Sequence, residues 1–515
     1  MPGSFFGQPH KRLEDARLLR GEASFIEDVR LVGMLHVVFV RSIHAHARFR
    51  VDASTALAAP AVIGVFTATD VDSGHGVPEI PTVVGHEALR PCRQPALARA
   101  EVRYVGEPIA AVVAADRYAA EDAAAAVIVE YEPLAAVPDA RAAVADGAAV
   151  LHEPLGDNIA ADFTVRVGDA EVAFRSAEVI SRGRYYVHRH TGMSLETRGV
   201  AASYDAGGGH LTLWTTTQWP HAVRDVLRDL LGFAEHKIRV VVPDMGGAFG
   251  VKQEIYPEEL VLALLAMRLR TPVRWIETRH EHLLGTAHAR EQWHDVELAA
   301  RRDGTILAMR AELLADMGAY TRSLGVLCPS IAAAILPGPY RFKNYTCRVR
   351  AVLTSKAPAG AYRGAGQPEA VFAMERAVDH LARELGMDPA ELRRKNFIPP
   401  DELPWELKTA SAQVPLVYDA GSHGAALDRA LELVGYDERR REQAIEPAKG
   451  PRGSAARHRD GGIRRVDGSR PVRGRDPARG RDGTGRAHHR GVAPWAGDDD
   501  GARASGCRRA RPRAA

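Results

Sequence analysis

The pattern most suited to chemistry is a glycine-rich segment, PDMGGAFGVK, which runs from Pro243 to Lys252. Glycines allow a backbone to approach a ligand closely and to present its amide groups to an anion. A Walker-type phosphate loop would need Ser or Thr after Lys252, where this chain has Gln253, so that interpretation is discounted. Taken alone, the segment could also be an ordinary turn.

Two other short segments carry polar side chains at the ends of predicted elements. In AYRGAGQPE, residues 361–369, Arg363 lies just ahead of a long predicted helix. A guanidinium is a fixed cation with a bidentate fork, which suits an anionic cofactor or an oxyanion. In TTTQWP, residues 215–220, the end of a strand brings Gln218 into a loop. Read singly, a surface arginine and a glutamine that satisfies backbone groups are the simpler alternatives.

Alternating strands and helices, within a larger α/β region from about residue 145 to 445, must position these segments. Apolar runs of strand length predict strands at Leu211–Thr216, Lys237–Val242 and Val273–Thr278. Proline-led segments with helical periodicity predict helices at Pro220–Leu231, Pro257–Arg268 and Pro368–Leu385. Glu258 and Glu259 begin the second helix, where we interpret their charges as favourable with the helix dipole.

The first 135 residues, approximately, predict a separate α+β unit. Strands are expected at Met34–Val40, Ala61–Thr67 and Ile109–Ala114. Asp116 can accept hydrogen bonds from the first turn of a helix at Arg117–Ala126, and a β-branched strand follows. Strand, helix and strand in so short a stretch indicate compact packing with a crossover connection.

The three chemical segments, in this order along the chain, resemble the large subunit of the molybdenum hydroxylases. This is the family of xanthine dehydrogenase, aldehyde oxidase and aerobic carbon monoxide dehydrogenase. Three further segments agree with it: GEPIAAVVA from Gly106, LETRG from Leu195 and LRRKNFI from Leu392. The resemblance covers about residues 5–445 and rests on several specific motifs.

The resemblance implies an α+β fold with two domains and a tail. Residues 1–140 would form the family's hammerhead domain, and residues 141–445 the first half of its molybdenum-cofactor-binding domain. Residues 446–515 have no counterpart in the family. Relatives continue with further cofactor loops and a general-base glutamate, and this glutamate is missing from the present chain.

The resemblance also implies a cofactor and partners. Molybdenum would be held by molybdopterin, in its cytosine dinucleotide form, so that no side chain ligates the metal. The reaction would be hydroxylation of an aldehyde or N-heterocycle carbon, a small-molecule substrate, with water as the oxygen source. Electrons would pass to [2Fe–2S] clusters on a small iron–sulfur subunit and to FAD on a medium subunit. The four cysteines, none at CxxC spacing, agree with clusters on another chain.

Particular residues take on roles through the same resemblance. Gln218, Gly247, Phe249, Gly250 and Arg363 would bind the cofactor. Arg363 would also stabilise charge that develops on the substrate oxygen.

Two further positions bear on the substrate. Gln253 would line the substrate pocket, at a position where purine-oxidising relatives have Glu. Gly364 replaces the cysteine that holds copper in enzymes that oxidise CO, so we expect no CO oxidation. A carbon monoxide dehydrogenase-like large subunit nevertheless stays as an alternative.

The last part of the chain has a different composition. Residues 449–515 contain 17 Arg and one Lys against seven Asp, whereas the whole chain has a net charge of +3. Such a segment buries too little apolar area to offset its ordering entropy, which predicts disorder. We hypothesise a frameshift near the codon for Ile445, and we expect the resulting product to be inactive.

The basic tail and the absence of long apolar segments allow two further expectations, about a non-catalytic role and about the location of the protein. A remnant with a natural basic tail is the alternative to a frameshift. Nucleic-acid binding is disfavoured, because Trp495 is the sole aromatic residue of the tail. The chain has no run of 18 apolar residues and no apolar segment in its first ten residues, so neither a membrane span nor a signal peptide is expected. The expected location is the cytoplasm.

Overall fold

The structure of the protein, a computed structural model, describes residues 7–72, 77–407 and 416–445. The chain divides into two units, Met1–Tyr436 and Asp437–Ala515. In the second unit, the described residues belong to the last helix. The tail predicted for residues 446–515 lies outside the described residues.

Strands and helices alternate along the described chain. The strands are β1 Leu35–Arg41, β2 Ala47–Asp52, β3 Val62–Phe66, β4 Glu101–Val102, β5 Pro108–Ala114, β6 Ile128–Pro133, β7 Ile159–Val167, β8 Val179–Val187, β9 Gly199–Asp205, β10 His210–Thr215, β11 Ile238–Val241, β12 Val273–Ile276, β13 Gln292–Ala300, β14 Ile306–Gly318, β15 Tyr345–Leu353, β16 Trp405–Leu407 and β17 Leu416–Tyr418. The helices are α1 Asp15–Leu19, α2 Ser54–Leu57, α3 Arg117–Ala126, α4 Ala140–Ala143, α5 Ala170–Arg175, α6 Pro220–Leu231, α7 Pro257–Leu269, α8 Arg279–Gly285, α9 Leu327–Ile335, α10 Gln367–Leu385, α11 Pro389–Asn396, α12 His423–Val434 and α13 Tyr436–Ile445.

The local signals in the sequence explain most of these boundaries. The Asp116 carboxylate accepts a hydrogen bond from the Ala119 amide at 3.0 Å and so begins α3 where the sequence predicted it. Helix α6 begins at Pro220 and ends before Gly232, whose φ of +67° closes the last turn. The predicted α+β class is confirmed.

A seven-stranded sheet contains strands from both sides of residue 140, in the order β11-β10-β9-β12-β1-β5-β3. The two groups of strands meet where β1 pairs in parallel with β12. This pairing consists of two positions, Leu35 with Val273 and His36 with Arg274. The N-terminal strands therefore share one sheet with β10 and β11, the strands that precede Gln218 and the glycine-rich segment.

A second sheet of five strands, β7-β15-β14-β13-β8, carries the larger apolar core. Helix α10 packs against β8 and β13, and its apolar face includes the buried Met374, Val378 and Leu381. Helix α7 packs against β9 and β12 of the first sheet. The segment before α7 and the segment before α10 are thus each held by a helix anchored in a core.

Candidate functional site

The glycine-rich segment follows β11 and is fixed at its start by two carboxylates. Asp244 accepts two hydrogen bonds from Arg17, at 2.6 and 2.7 Å, and one from the Ser24 amide at 2.8 Å. Glu196 accepts a hydrogen bond from the Gly246 amide at 2.8 Å. These bonds come from distant parts of the chain, so the loop has a defined position before any ligand binds.

The middle of this loop has a backbone conformation that turns its amides outward. Gly247 has a φ of +100°, Phe249 of +55° and Gly250 of +95°. Among the described residues, the amides of Gly247, Ala248 and Phe249 donate to no acceptor. Successive free amides in such a turn form a concave site for an anion. The loop is therefore prepared for an anionic group that the protein itself does not supply.

Gln218 lies against the same loop. Its Oε1 accepts a hydrogen bond from the Gly250 amide at 2.8 Å, and its own amide donates to the Lys252 carbonyl at 2.8 Å. The side chain is exposed, and Nε2 has no partner among the described groups. The Gly250 amide is consequently occupied within the protein, whereas the Gln218 NH₂ group is available to a ligand.

Arg363 reaches this loop through its backbone. Its amide donates to the Phe249 carbonyl at 2.9 Å, and its carbonyl accepts from Arg290 at 2.6 Å. The Arg363 side chain is exposed, and its backbone is hydrogen-bonded to the last residue of the row of free amides. A Cβ at Gly250 would lie 2.9 Å from the Ala361 carbonyl oxygen, so the close contact of the two loops requires glycine there.

The structure thus brings together five residues that the sequence singled out. We call them the loop face: Gln218, Gly247, Phe249, Gly250 and Arg363. Gln253 lies one turn further on, half-buried, and its amide donates to the Gly250 carbonyl at 2.9 Å. Gly364 has a φ of +105°, and a Cβ there would lie 2.6 Å from Pro368 Cδ.

Lys252 closes the glycine-rich segment from within. It is buried, and its Nζ lies 3.1 Å from Glu196 Oε2. Burial lowers the pKa of Lys252, and the Glu196 carboxylate opposes this shift. Since Glu196 also holds the Gly246 amide, one carboxylate connects both ends of the loop.

A set of charged residues that pair with one another lies at the start of α7, and the sequence did not reveal this pairing. Arg198 bonds Glu258 at 2.9 Å and Glu277 at 2.6 Å, and Glu258 also accepts from Arg41 at 2.8 Å. All four side chains are buried, and we call this set the buried charge network. The dipole interpretation of Glu258 was therefore incomplete, because its carboxylate is bound by two guanidinium groups inside the core.

The two neighbouring glutamates of α7 have pKa values that are shifted in opposite directions. Burial alone would raise the pKa of Glu258, but Arg198 and Arg41 hold it well below its usual range. Glu259 accepts hydrogen bonds from Thr215 and from the Tyr256 amide, at 2.8 and 3.0 Å, and burial raises its pKa to about 7. The start of α7 thus carries one carboxyl group that stays ionised and one that loses its proton only near pH 7.

The cysteines, candidate metal ligands and long helices of the described chain form no further site. Cys92, Cys328 and Cys347 are free thiols, while Cys507 lies outside the described residues. Within the described ranges, no cluster of His, Cys, Asp or Glu could hold a metal ion. The described helices also include none with the length and apolar character needed to cross a bilayer.

Comparison with known proteins identifies the family to which this fold and its loops belong. Residues 151–397 match the molybdopterin cofactor-binding domain, and residues 20–135 match the aldehyde oxidase and xanthine dehydrogenase a/b hammerhead domain. The fold is therefore a hammerhead domain followed by a molybdenum-cofactor-binding domain, as predicted. The chain belongs to the xanthine dehydrogenase and aldehyde oxidase family of molybdenum-dependent dehydrogenases and hydroxylases.

Several relatives are similar over most of the described chain. The carbon monoxide dehydrogenase large chain of Afipia carboxidovorans is 38% identical, over 87% of this chain and 56% of that protein. The 6-hydroxypseudooxynicotine dehydrogenase complex subunit gamma of Paenarthrobacter nicotinovorans is 37% identical, over 84% and 55%. The crystal structure of quinoline 2-oxidoreductase from Pseudomonas putida 86 superposes with a TM-score of 0.79, at 36% identity over 85% and 55%. The chain thus spans about half the length of the relatives that it matches.

Proposed function

We propose that the loop face forms one wall of a molybdopterin site in the large subunit of a molybdenum hydroxylase. The observation that carries this proposal is the row of free amides from Gly247 to Phe249, next to the backbone of Arg363, whose side chain is exposed. Amides and a guanidinium together provide hydrogen-bond donors and positive charge, which suit the anionic groups of such a cofactor. We propose the cytosine dinucleotide form of the cofactor.

The residues of the loop face have separate roles in cofactor binding and in catalysis. When bound, the cofactor supplies the two-electron oxidation of a substrate carbon with oxygen from water. The loop amides and Gln218 Nε2 donate to the cofactor and hold it in place. Arg363 stabilises the negative charge that develops on the substrate oxygen, and Gln253 contributes a neutral amide to the substrate pocket.

The substrate proposed is an aldehyde or an N-heterocycle. Two of the relatives are named for the oxidation of N-heterocyclic compounds, which supports this substrate class. A carbon monoxide dehydrogenase-like function is the second candidate, because the Afipia carboxidovorans large chain is 38% identical. Gly364 argues against it: the φ of +105° and the nearby Pro368 ring disfavour a side chain at that position.

We further propose partners and a location. Electrons would pass to a small iron–sulfur subunit and to a medium FAD subunit, in the cytoplasm. The names of two relatives, a large chain and a complex subunit, support an assembly of several chains. Because the chain spans about half of these relatives, we propose that turnover requires the remainder of the family's large subunit.

Metal and pterin analysis would test the cofactor site. The chain would be purified from a host that makes the cofactor, once alone and once with a second polypeptide carrying the remainder of a relative's large subunit. We expect molybdenum and pterin only in the second preparation, and a loss of turnover by at least about 100-fold in Arg363→Ala with metal retained. Near-stoichiometric molybdenum in the chain alone would overturn the need for the second polypeptide. Absence of molybdenum from both preparations would overturn the cofactor site.

A further inference from the structure

A cleft opens in the seven-stranded sheet at the point where its two groups of strands meet. After Leu35 with Val273 and His36 with Arg274, β1 and β12 pair no further. Beyond those positions β12 continues along β9, and β1 continues along β5. The strands therefore diverge, and between them lies a cavity of about 250 Å³ whose lining includes Val38, Arg274 and Ile276.

Arg274 is the exceptional group in this cleft. The residue is 8% exposed, and its Nη1 donates to the carbonyls of Glu27 and Val29 at 2.7 and 3.2 Å. Among the described residues, its Nε has no hydrogen-bond partner, and no carboxylate forms an ion pair with its guanidinium. A buried cation whose charge is left unmatched is costly unless something else neutralises it.

The carboxylates that also line the cleft are already engaged. Glu121 bonds Arg117 at 2.8 Å, and Glu281 bonds Arg41 at 2.8 Å. Glu27 lies on the exposed side, 4.0 Å from Arg117. Glu121 and Glu27 thus share Arg117, and Glu281 pairs with Arg41, whereas the hydrogen bonds of the Arg274 Nη1 go to neutral carbonyls.

Neighbouring groups add to the positive potential. Burial lowers the pKa of Arg274, and the next cause is the nearby Arg30 guanidinium. Burial also lowers the pKa of His36, with Arg274 as the next cause. Burial and the neighbouring cations therefore outweigh the carboxylates of Glu27, Asp28 and Asp116, which shift these pKa values the other way.

We propose that this cleft binds a small oxyanion, a phosphate or short carboxylate group, at the Arg274 guanidinium. A guanidinium edge matches such an oxyanion with two parallel hydrogen bonds. The cavity is smaller than pockets for drug-sized ligands, which begin at about 300 Å³, and it exceeds the space for a few waters. None of its lining residues belongs to the loop face, so this site is separate from the proposed cofactor site.

Thermal unfolding of the full chain, with added inorganic phosphate or malonate at constant ionic strength, would test the site. A ligand that binds only the folded state raises the unfolding temperature in a saturable manner. We expect such a rise with at least one of the two anions, and the anion that gives it identifies the ligand group. In Arg274→Gln the affinity should fall at least about tenfold, because a charged hydrogen-bond pair is lost.

Two more variants make the test decisive. Arg48→Gln removes an exposed arginine from β2, outside the cleft, and should bind as the unchanged protein does. Arg117→Gln frees Glu121 to repel an anion from the cleft rim, and should weaken binding several-fold even if Arg274→Gln does not fold. Equal shifts in all variants, or no saturable shift with either anion, would overturn the proposal.

Discussion

The loop face and the buried charge network both contain polar groups, but these groups find their hydrogen-bond partners in opposite ways. In the network, Arg198, Arg41, Glu258 and Glu277 bind one another and are hidden from solvent. On the loop face, hydrogen bonds fix the positions, while the amides of Gly247 and Phe249 and the Arg363 side chain have no partner among the described residues. Polar groups that have partners inside the protein have a structural role. Polar groups that are fixed in position but have no partner are available to a ligand.

The two regions should also differ in what a mutation costs. Breaking a buried pair by removing one partner leaves an uncompensated charge, whereas a donor exposed to solvent finds water instead. Variants in the network should therefore lower the free energy of unfolding most. Variants on the loop face should lower it less and act mainly on ligand binding.

Arg198→Met should give the largest effect. It leaves Glu258 with one guanidinium partner and removes the one that lies 2.6 Å from Glu277, so we expect a loss of about 3–5 kcal/mol in the free energy of unfolding. Urea unfolding would measure it. The control is Arg184→Met, which breaks an exposed pair with Asp295 and should cost at most about 1 kcal/mol. Equal losses in both variants would remove the distinction between the two regions.

Glu259→Gln should change the pH dependence of stability. Burial raises the pKa of Glu259 from 4.5 to about 7, so its contribution is fully present below pH 4.5 and is lost as pH rises through about 7. The neutral variant should flatten this loss, which is on the order of 3 kcal/mol. The check is the unfolding free energy at about pH 5 and about pH 8. Glu107, whose pKa burial also raises to about 7, would keep part of the slope. An unchanged slope in the variant would mean that Glu259 is ionised in the folded protein.

Gly250→Ala should have a smaller effect, centred on the loop face. A Cβ at φ +95° would lie 2.9 Å from the Ala361 carbonyl oxygen, so strain and collision together should cost about 1–3 kcal/mol. Gly209→Ala has a similar strain, with φ +64° and open space around the Cβ, and isolates the collision. If the two alanine variants unfold at the same urea concentration, the close contact between the loops is not needed for stability.

The sequence singled out the residues of the loop face but not those of the network, for a physical reason. Gln218, Gly250 and Arg363 lie in three short segments whose order along the chain resembles a known family, although each segment alone is ambiguous. The network joins residues that are far apart in the chain, such as Arg41 and Glu258, and nothing local at either position shows the other. Periodicity places a helix but does not identify the distant partner of one charge.

A signal for part of the network was nevertheless present. The segment from Leu260 to Met267 consists of apolar residues alone, which indicates a helix buried all round. Glu258 and Glu259 at the start of such a helix must be buried too, and buried acids require cations or protons. The identity of those cations, Arg41 and Arg198, became visible only from the three-dimensional fold.

The short pairing of β1 with β12 has a consequence for how the chain is made. A ribosome completes residue 35 long before residue 273, so β1 and β5 can pair while the other neighbour of β1 has not yet been synthesised. Throughout that interval one edge of β1 is open to another nascent chain. With two residue pairs the closing contact is small, and its completion is the step at which slow translation or a chaperone would alter the yield of folded protein.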